Sequence, residues 1–466
     1  MEKKSNLAKN TVLLSLGTIM TKGINLAMIP LFSSWLSTKD YGAFDIVCTY
    51  VSLLIPFITL ANSEAIFRFA VDKTTIKEKS KYITAGLSIN LVNSMIVTII
   101  LLIIYLLTGW ELAIPFMVLL FSELFNNYLM GGMRAIKKLD VYSFSSVFTT
   151  LGIAVSVTLL VRYLNLGLQG MIYGYAIGYI LGEVYLVLRT SFWRYLDFKT
   201  VDLFTIKQLI KYAFPLIPNN ISWWFINVSD RTLISMFLGV AANGVYAIAY
   251  KIPNLCASIF NVFSVSWQEA AIDLVREESR NDYYNKIYNN TITIMISLCG
   301  GLLALNYFLF EFVFDSRYFE AKLYSPILIT SVIFGSLTQY FGGIQISLKR
   351  PKENGVSTVL GAIINVIIDL ALIKFIGLYA AALSTLIANV FITIYRYIVL
   401  KEDIYFKLEK KTFVCIVYYI YLLVMSYICS SFGLSFINLA ISGMAFLCIN
   451  KEFLFSALLK ARIIKG

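Results

Sequence analysis

Tyr128-Leu-Met-Gly-Gly-Met-Arg-Ala-Ile-Lys-Lys138 returns later in the chain as Tyr340-Phe-Gly-Gly-Ile-Gln-Ile-Ser-Leu-Lys-Arg350. Each copy closes an apolar run with a tyrosine, a glycine pair and, a few residues on, two basic residues. The pattern extends in both directions. Upstream, Tyr41-Gly42-Ala-Phe44-Asp-Ile46 matches Asn243-Gly244-Val-Tyr246-Ala-Ile248, and downstream Leu166-Gly167-Leu168 matches Ile376-Gly377-Leu378. The offsets are 202 for the early pair and 210 to 212 for the later ones, which defines one internal repeat. Apolar stretches resemble each other by composition alone, but matched loop glycines and basic pairs do not.

The repeat is made of membrane spans. Hydrophobic residues are 59% of the chain and charged ones 14%, with mean hydropathy +0.76, too little polar surface for a soluble protein of 466 residues. Apolar runs about 20 residues long, enough to cross a hydrocarbon core, fall near 11–36, 41–63, 83–107, 112–133, 141–163, 167–188, 212–238, 244–267, 291–314, 325–348, 355–376, 379–400, 412–430 and 434–449. The expected fold is an all-α integral membrane protein with about 14 transmembrane helices. Two six-helix lobes, 1–211 and 212–411, are followed by two additional helices and a tail in 412–466. An even number of helices per repeat makes the two lobes parallel, as in transporters that rock two lobes about a central site. The run behind the polar, basic start Met1–Asn10 is longer than a signal-peptide core and lacks a cleavage site, so it is read as a retained helix.

Charge fixes the expected orientation. With the N-terminus inside, the inside loops and termini hold 29 Lys and Arg, whereas the outside loops hold only Lys39, Arg317 and Lys322; both termini are therefore expected in the cytoplasm. The formal charge of +12 then sits beside anionic membrane lipids rather than nucleic acid. The six cysteines are scattered through apolar runs and form neither a disulfide framework nor a zinc pattern. Histidine is absent, which removes the commonest metal ligand and neutral-pH proton shuttle. No cofactor is expected.

Gly170, Gly174, Gly178 and Gly182 form a bare stripe on the sixth helix, answered by Ala380, Ser384 and Ala388 on the twelfth. Such stripes allow close helix contact in lipid, a structural role. Ionisable groups within spans demand partners, water or a function. Lys22 shares a face with Ser15, Thr18 and Asn25; Asp45, Thr49 and Ser52 line the second helix; Asn219, Asn220, Asn227, Asp230 and Arg231 lie on the seventh; Lys251, Asn254 and Ser258 lie on the eighth. These polar faces suit a hydrophilic cavity between the lobes. Lys22 and Lys251 hold corresponding places in the two halves with no acid one turn away, and are the leading candidates for contact with an anionic ligand. Glu64 and Arg68, four apart, read as a simple ion pair; Arg162, Lys374 and Arg396 stand close enough to span ends to snorkel. Glu123, Glu183 and Asp369 are acids that either carry protons or sodium, or pair with those cations. Trp223 and Trp224 either anchor the helix at the interface or offer stacking faces to sugars.

The chain resembles the Wzx-type O-antigen and capsule repeat-unit flippases of the multidrug/oligosaccharidyl-lipid/polysaccharide exporter superfamily. The likeness spans helices 1 to 12 and rests on Asn10-Thr11 through Pro30-Leu31, the short loop into Asp40-Tyr41-Gly42, the Gly131-Gly132 and Lys137-Lys138 signature with its repeat, and the basic inside loops. It implies alternating access around a cationic cavity. The implied cargo is an undecaprenyl-pyrophosphate-linked oligosaccharide, with the polysaccharide polymerase of the same pathway as a further partner. Related lipid II flippases place basic residues on helices 1, 2 and 8; Lys22 and Lys251 match the first and last, while Arg68 is the only candidate on the second and lies late in the span. Arg231 adds a fourth cation.

Other functions fit less well. A cation-carrying antiporter of the same superfamily conflicts with a cavity lined by Lys22, Lys251 and Arg231. A membrane polymerase would need a large outer loop, many acyltransferases need histidine, and a sugar-nucleotide transferase needs an Asp-x-Asp motif. Flippases for teichoic-acid precursors or lipid II remain the alternatives.

Overall fold

The computed structural model describes residues 2–214, 217–275, 277–428 and 431–444, and no strand occurs among them. The chain divides into two compact units, Met1–Arg231 and Thr232–Gly466. The first contains α1 (Glu2–Trp35), α2 (Thr38–Ile58), α3 (Asn62–Ala70), α4 (Ile76–Thr108), α5 (Ala113–Ala135), α6 (Leu139–Val157), α7 (Gly167–Thr190) and α8 (Leu203–Ala213). Helix α9 (Ile217–Phe237) carries the chain across the boundary. The second unit continues with α10 (Val240–Leu274), α11 (Arg280–Phe308), α12 (Ala321–Ser347), α13 (Pro351–Ile376), α14 (Leu378–Leu400) and α15 (Lys410–Ile428), then α16 (Phe432–Met444). Eleven of these helices are long and apolar enough to cross a membrane. With α1, α9 and the short α16 they account for the fourteen segments expected from hydropathy.

The sequence repeat is a structural repeat. Helices α5 and α12 end in the same turn: Lys137 and Lys349 adopt left-handed backbones, φ 61° and 60°. The next residue, Lys138 or Arg350, donates back to Met133 O at 3.0 Å or Gln345 O at 2.8 Å. This six-to-one closure satisfies carbonyls that a helix end leaves without partners. The motif tyrosines also agree. Tyr128 donates its hydroxyl to Ile83 O (3.0 Å) and Tyr340 to Tyr284 O (2.7 Å), each bonding the fourth helix of its repeat to the third. The glycines permit close packing: a Cβ on Gly131 would lie 2.9 Å from Ser63 Cβ, and one on Gly343 would lie 2.9 Å from the Trp267 ring. Trp267 stacks on Tyr340 at 4.8 Å and donates to its carbonyl, centring the apolar core of the second unit.

The glycine stripe of α7 is structural, as expected. It lies against α6, where a Cβ on Gly174 would sit 2.6 Å from Val157. Ala380, Ser384 and Ala388 are fully buried on α14, which packs against α13.

Several expected spans have different limits: α11 begins at Arg280 rather than near 291, and α10 runs on to Leu274 rather than ending near 267. The span at 41–63 is not one helix: α2 ends at Ile58, and Leu60 and Ala61 take left-handed backbones before α3 begins. Pro56 weakens the helix, and the break is sealed from outside it. Asn93 Nδ2 donates to Ile58 O (2.7 Å), while Asn62 Nδ2 donates to Gly86 O (3.1 Å) and Asn90 Oδ1 (2.8 Å). The span at 83–107 starts earlier, at Ile76, because Thr75 and Glu78 form a reciprocal capping box ahead of the apolar run. The segment at 434–449 is described only to Met444.

Candidate functional site

The most buried ion pair among the described residues of the first unit joins α2 to α9. Arg231 Nε lies 2.7 Å from Asp45 Oδ2, and both side chains are about nine-tenths buried, with 11% and 10% exposed. One turn along α2, Thr49 O accepts the indole N–H of Trp224 at 3.1 Å. Sequence reasoning assigned Asp45 and Arg231 separate places; the structure makes them an ion pair. Inside a membrane such a pair removes the penalty that either charge would bear alone. Trp224 fastens helices with its edge, and its ring meets Phe225 at 5.4 Å. The side chains of Asn219, Asn220, Trp223 and Asn227 lie outside the described residues.

Lys22 on α1 and Lys251 on α10 are both half-buried, with Asn25 and Asn254 exposed nearby on the same helices. The repeat does not relate these lysines to each other. The 202-residue offset pairs Lys251 with Thr49 on α2, and α1 has its counterpart in α9. Arg68 is exposed on α3 and pairs with Asp72 at 3.3 Å. Its expected partner Glu64 instead binds Arg134 at 2.7 Å, and Arg134 also stacks 4.3 Å over Phe67. Arg68 thus stands beyond the break in α2, on a different helix from Asp45 and Thr49.

The three acids occupy different settings. Glu123 on α5 and Glu183 on α7 are both half-buried. The Glu183 Oε1 atom is buried with no hydrogen-bond partner. Asp369 on α13 is fully buried, and its Oδ1 accepts from Ser384 Oγ on α14 at 2.8 Å. Asn365, one turn before it, donates to the same hydroxyl at 3.1 Å and keeps a buried Oδ1 without a partner. Oxygen donors of this kind suit a proton or a hard cation such as sodium. Among the described residues no cluster of three or more His, Cys, Asp or Glu could hold a metal.

Arg396 does not snorkel: it is the largest fully buried side chain among the described residues. Its Nε donates to Ser357 Oγ (2.9 Å), Nη1 to Thr338 O (2.7 Å), and Nη2 to Asn354 Oδ1 (2.8 Å), Asn354 O (3.2 Å) and Thr358 Oγ1 (2.9 Å). All five acceptors are neutral oxygens from α12, α13 or the same turn of α13. Gly342 makes the room, since a Cβ there would lie 2.5 Å from Nη1. The available signal was the glycine pair itself, one helix away from the cation it accommodates.

The family model described as "Polysaccharide biosynthesis protein" matches residues 7–267, more than half of the chain. No curated protein matches it by sequence. Three solved structures are similar. One is the lipid II flippase MurJ in an inward closed conformation, at 18% identity over 96% of this chain and 100% of that one, TM-score 0.67. Another is an inward-facing multidrug resistance MATE family transporter of the MOP superfamily, at 14% identity over 90% and 100%, TM-score 0.61. A MOP superfamily transporter from Pyrococcus furiosus follows at 18% identity over 84% and 95%, TM-score 0.59. At these identities the likeness is one of fold.

Proposed function

Because the chain belongs to the polysaccharide biosynthesis protein family, we propose that it is a flippase for undecaprenyl-pyrophosphate-linked oligosaccharide repeat units. It moves them by alternating access from the inner to the outer leaflet of a bacterial cytoplasmic membrane, for O-antigen or capsular polysaccharide. The transporting lobes in this scheme are 1–211 and 212–411, with 412–466 appended and both termini in the cytoplasm. The polymerase of the same pathway receives the flipped unit.

A pyrophosphate presents several charged oxygens and calls for cations inside the membrane boundary. The supporting observation is a half-buried lysine within a membrane helix of each unit, Lys22 and Lys251, each with an asparagine on the next turn. A lysine is costly at that depth and is retained where it serves a polar ligand. Arg231 takes a supporting part in this scheme, holding α9 to α2 through Asp45, and Arg68 is the weakest of the four cations. Glu123, Glu183 and Asp369 are the acids through which an ion gradient drives the cycle.

The test is complementation of a strain lacking its own O-antigen or capsule flippase, with wild type beside Lys22→Ala and Lys251→Ala. The expected result is surface polysaccharide restored by wild type and lost in both variants at unchanged membrane abundance. Variants as active as wild type would remove the lysines from the substrate path. Wild type failing across several sugar backgrounds, with lipid-linked units accumulating, would overturn the flippase assignment.

A further inference from the structure

The chain leaves α7 at Thr190 and enters α9 at Ile217, so the segment between them is held at the membrane surface by its two ends. Its inner face is accounted for. Phe192 is buried beside Tyr128, and Leu209 and Ala213 of α8 are buried in a small core with Ala61, Ala65 and Ala85.

Its outer face is apolar and has no cover within the described residues. Trp193, Phe198, Leu203, Phe204 and Phe214 are 51%, 59%, 74%, 72% and 62% exposed. Interleaved with them are four exposed basic residues, Arg194, Lys199, Lys207 and Lys211. The segment's two acids are engaged locally. Asp197 caps the amide of Lys199 at 3.0 Å. Asp202 accepts from Thr205 N at 2.7 Å and pairs with Lys81 at 3.0 Å. The free charge on this face is therefore positive.

We propose that residues 192–214 form a surface-lying anchor that draws anionic phospholipid headgroups to this side of the bilayer. Arg194, Lys199, Lys207 and Lys211 meet the phosphates, while the exposed aromatic and leucine side chains enter the acyl boundary. Large apolar side chains beside lysines are the composition of helices that lie in a membrane interface, and aromatic rings favour that depth. The tether to α7 and α9 places the segment there without a separate binding step. Charge complementarity selects anionic over zwitterionic lipid. This assignment needs only that the neighbouring helices span a bilayer, and is independent of the transported substrate.

The full chain, with the photoreactive p-benzoylphenylalanine replacing Phe204, is placed in nanodiscs of phosphatidylcholine mixed with phosphatidylglycerol and irradiated. Adducts are identified by mass spectrometry. The expected result is lipid adducts enriched in phosphatidylglycerol above its share of the disc. Neutralising Lys199, Lys207 and Lys211 to Gln should reduce that enrichment, by up to about fivefold per lysine from the energy of one basic residue near an anionic surface. A Lys199→Gln single variant gives the same direction if the triple variant does not fold. Adducts confined to protein, or lipid adducts that follow the bulk composition in every variant, would overturn the proposal. Neither outcome bears on the complementation result.

Discussion

Helices α5 and α7 in the first unit and α12 and α14 in the second are the same helix pair of the repeat, and they bury opposite charge. The first pair carries Glu123 and Glu183, both half-buried. The second pair carries Arg396, which reaches onto α12 and α13, and beside it Thr338 and Thr393, whose hydroxyls lie 3.0 Å apart. The difference is in how each charge is satisfied. The guanidinium spreads its charge over five neutral oxygens and locks three helices together. Glu183 holds one oxygen buried with no donor. A satisfied buried charge makes a rigid joint, whereas an under-satisfied one retains the capacity to take up a proton or an ion. The 210-residue offset pairs Arg396 with Leu186 and Glu183 with Thr393, so the fastener and the acid stand about one turn apart on the same helix of the repeat.

The largest effect expected of breaking this contrast is at the fastener. Arg396→Ala removes the donor shared by Thr338 O, Asn354 and two hydroxyls and leaves its buried space unfilled, and should lower stability by on the order of 3–5 kcal/mol, read as a fall in the thermal midpoint in detergent. Arg396→Lys keeps the charge but cannot span the same acceptors, and should fall between. If Arg396→Ala melts with wild type, the joint is not structural.

Next is the Asp45–Arg231 pair. Asp45→Asn takes the carboxylate out of a nine-tenths buried ion pair and should cost about 3 kcal/mol. The double change Asp45→Asn with Arg231→Gln should recover much of the loss. An Asp45→Asn variant that keeps full stability but loses transport would mark Arg231 as a ligand contact instead.

The acids sharpen the contrast from the other side. Glu183→Gln and Asp369→Asn should change stability by no more than about 1 kcal/mol, because each removes a buried charge while keeping its shape. Each should flatten the dependence of flipping on the proton or sodium gradient, measured in vesicles with an imposed gradient. Unchanged gradient dependence in both would leave coupling to other groups.

Asp202 should give the smallest effect. Hydrogen bonds from Thr205, with Lys81 beside them, hold its carboxyl down at about 2. A depressed pKa contributes stability above the ordinary carboxylate range and loses it as pH falls through the folded value. Asp202→Asn should therefore differ slightly from wild type near neutrality and converge with it toward pH 2, as followed by thermal unfolding across pH.

Nearly all of the spans were legible because hydropathy is a local signal. What escaped was decided by partners distant in sequence. Pro56 and Pro253 look alike in the chain, yet α2 breaks after the first and α10 runs on past the second. The break is sealed by Asn90 and Asn93 of α4, which meet Asn62 and the Ile58 carbonyl on either side of it. Glu64 and Arg68 have the spacing of a local pair, but Arg134 on α5 offers Glu64 a closer contact. Arg396 sits within a turn or so of a helix end, where a long side chain can reach water. Its inward turn follows from oxygens on α12 and α13 and from the space at Gly342. Asp45 and Arg231 were both singled out, but no periodicity relates residues on helices seven apart in order.

The break in α2 has a mechanical meaning. Helix α10 is 35 residues without interruption, about 50 Å of rod, with Lys251 a third of the way along and Trp267 set in the core toward its far end. A small rotation felt at Lys251 arrives at Trp267 as a proportionate sweep. The same rotation felt at Thr49 is absorbed at Leu60 and Ala61, because beyond them α3 is held by α4 and α5. One half of the repeat has kept a lever where the other has a hinge.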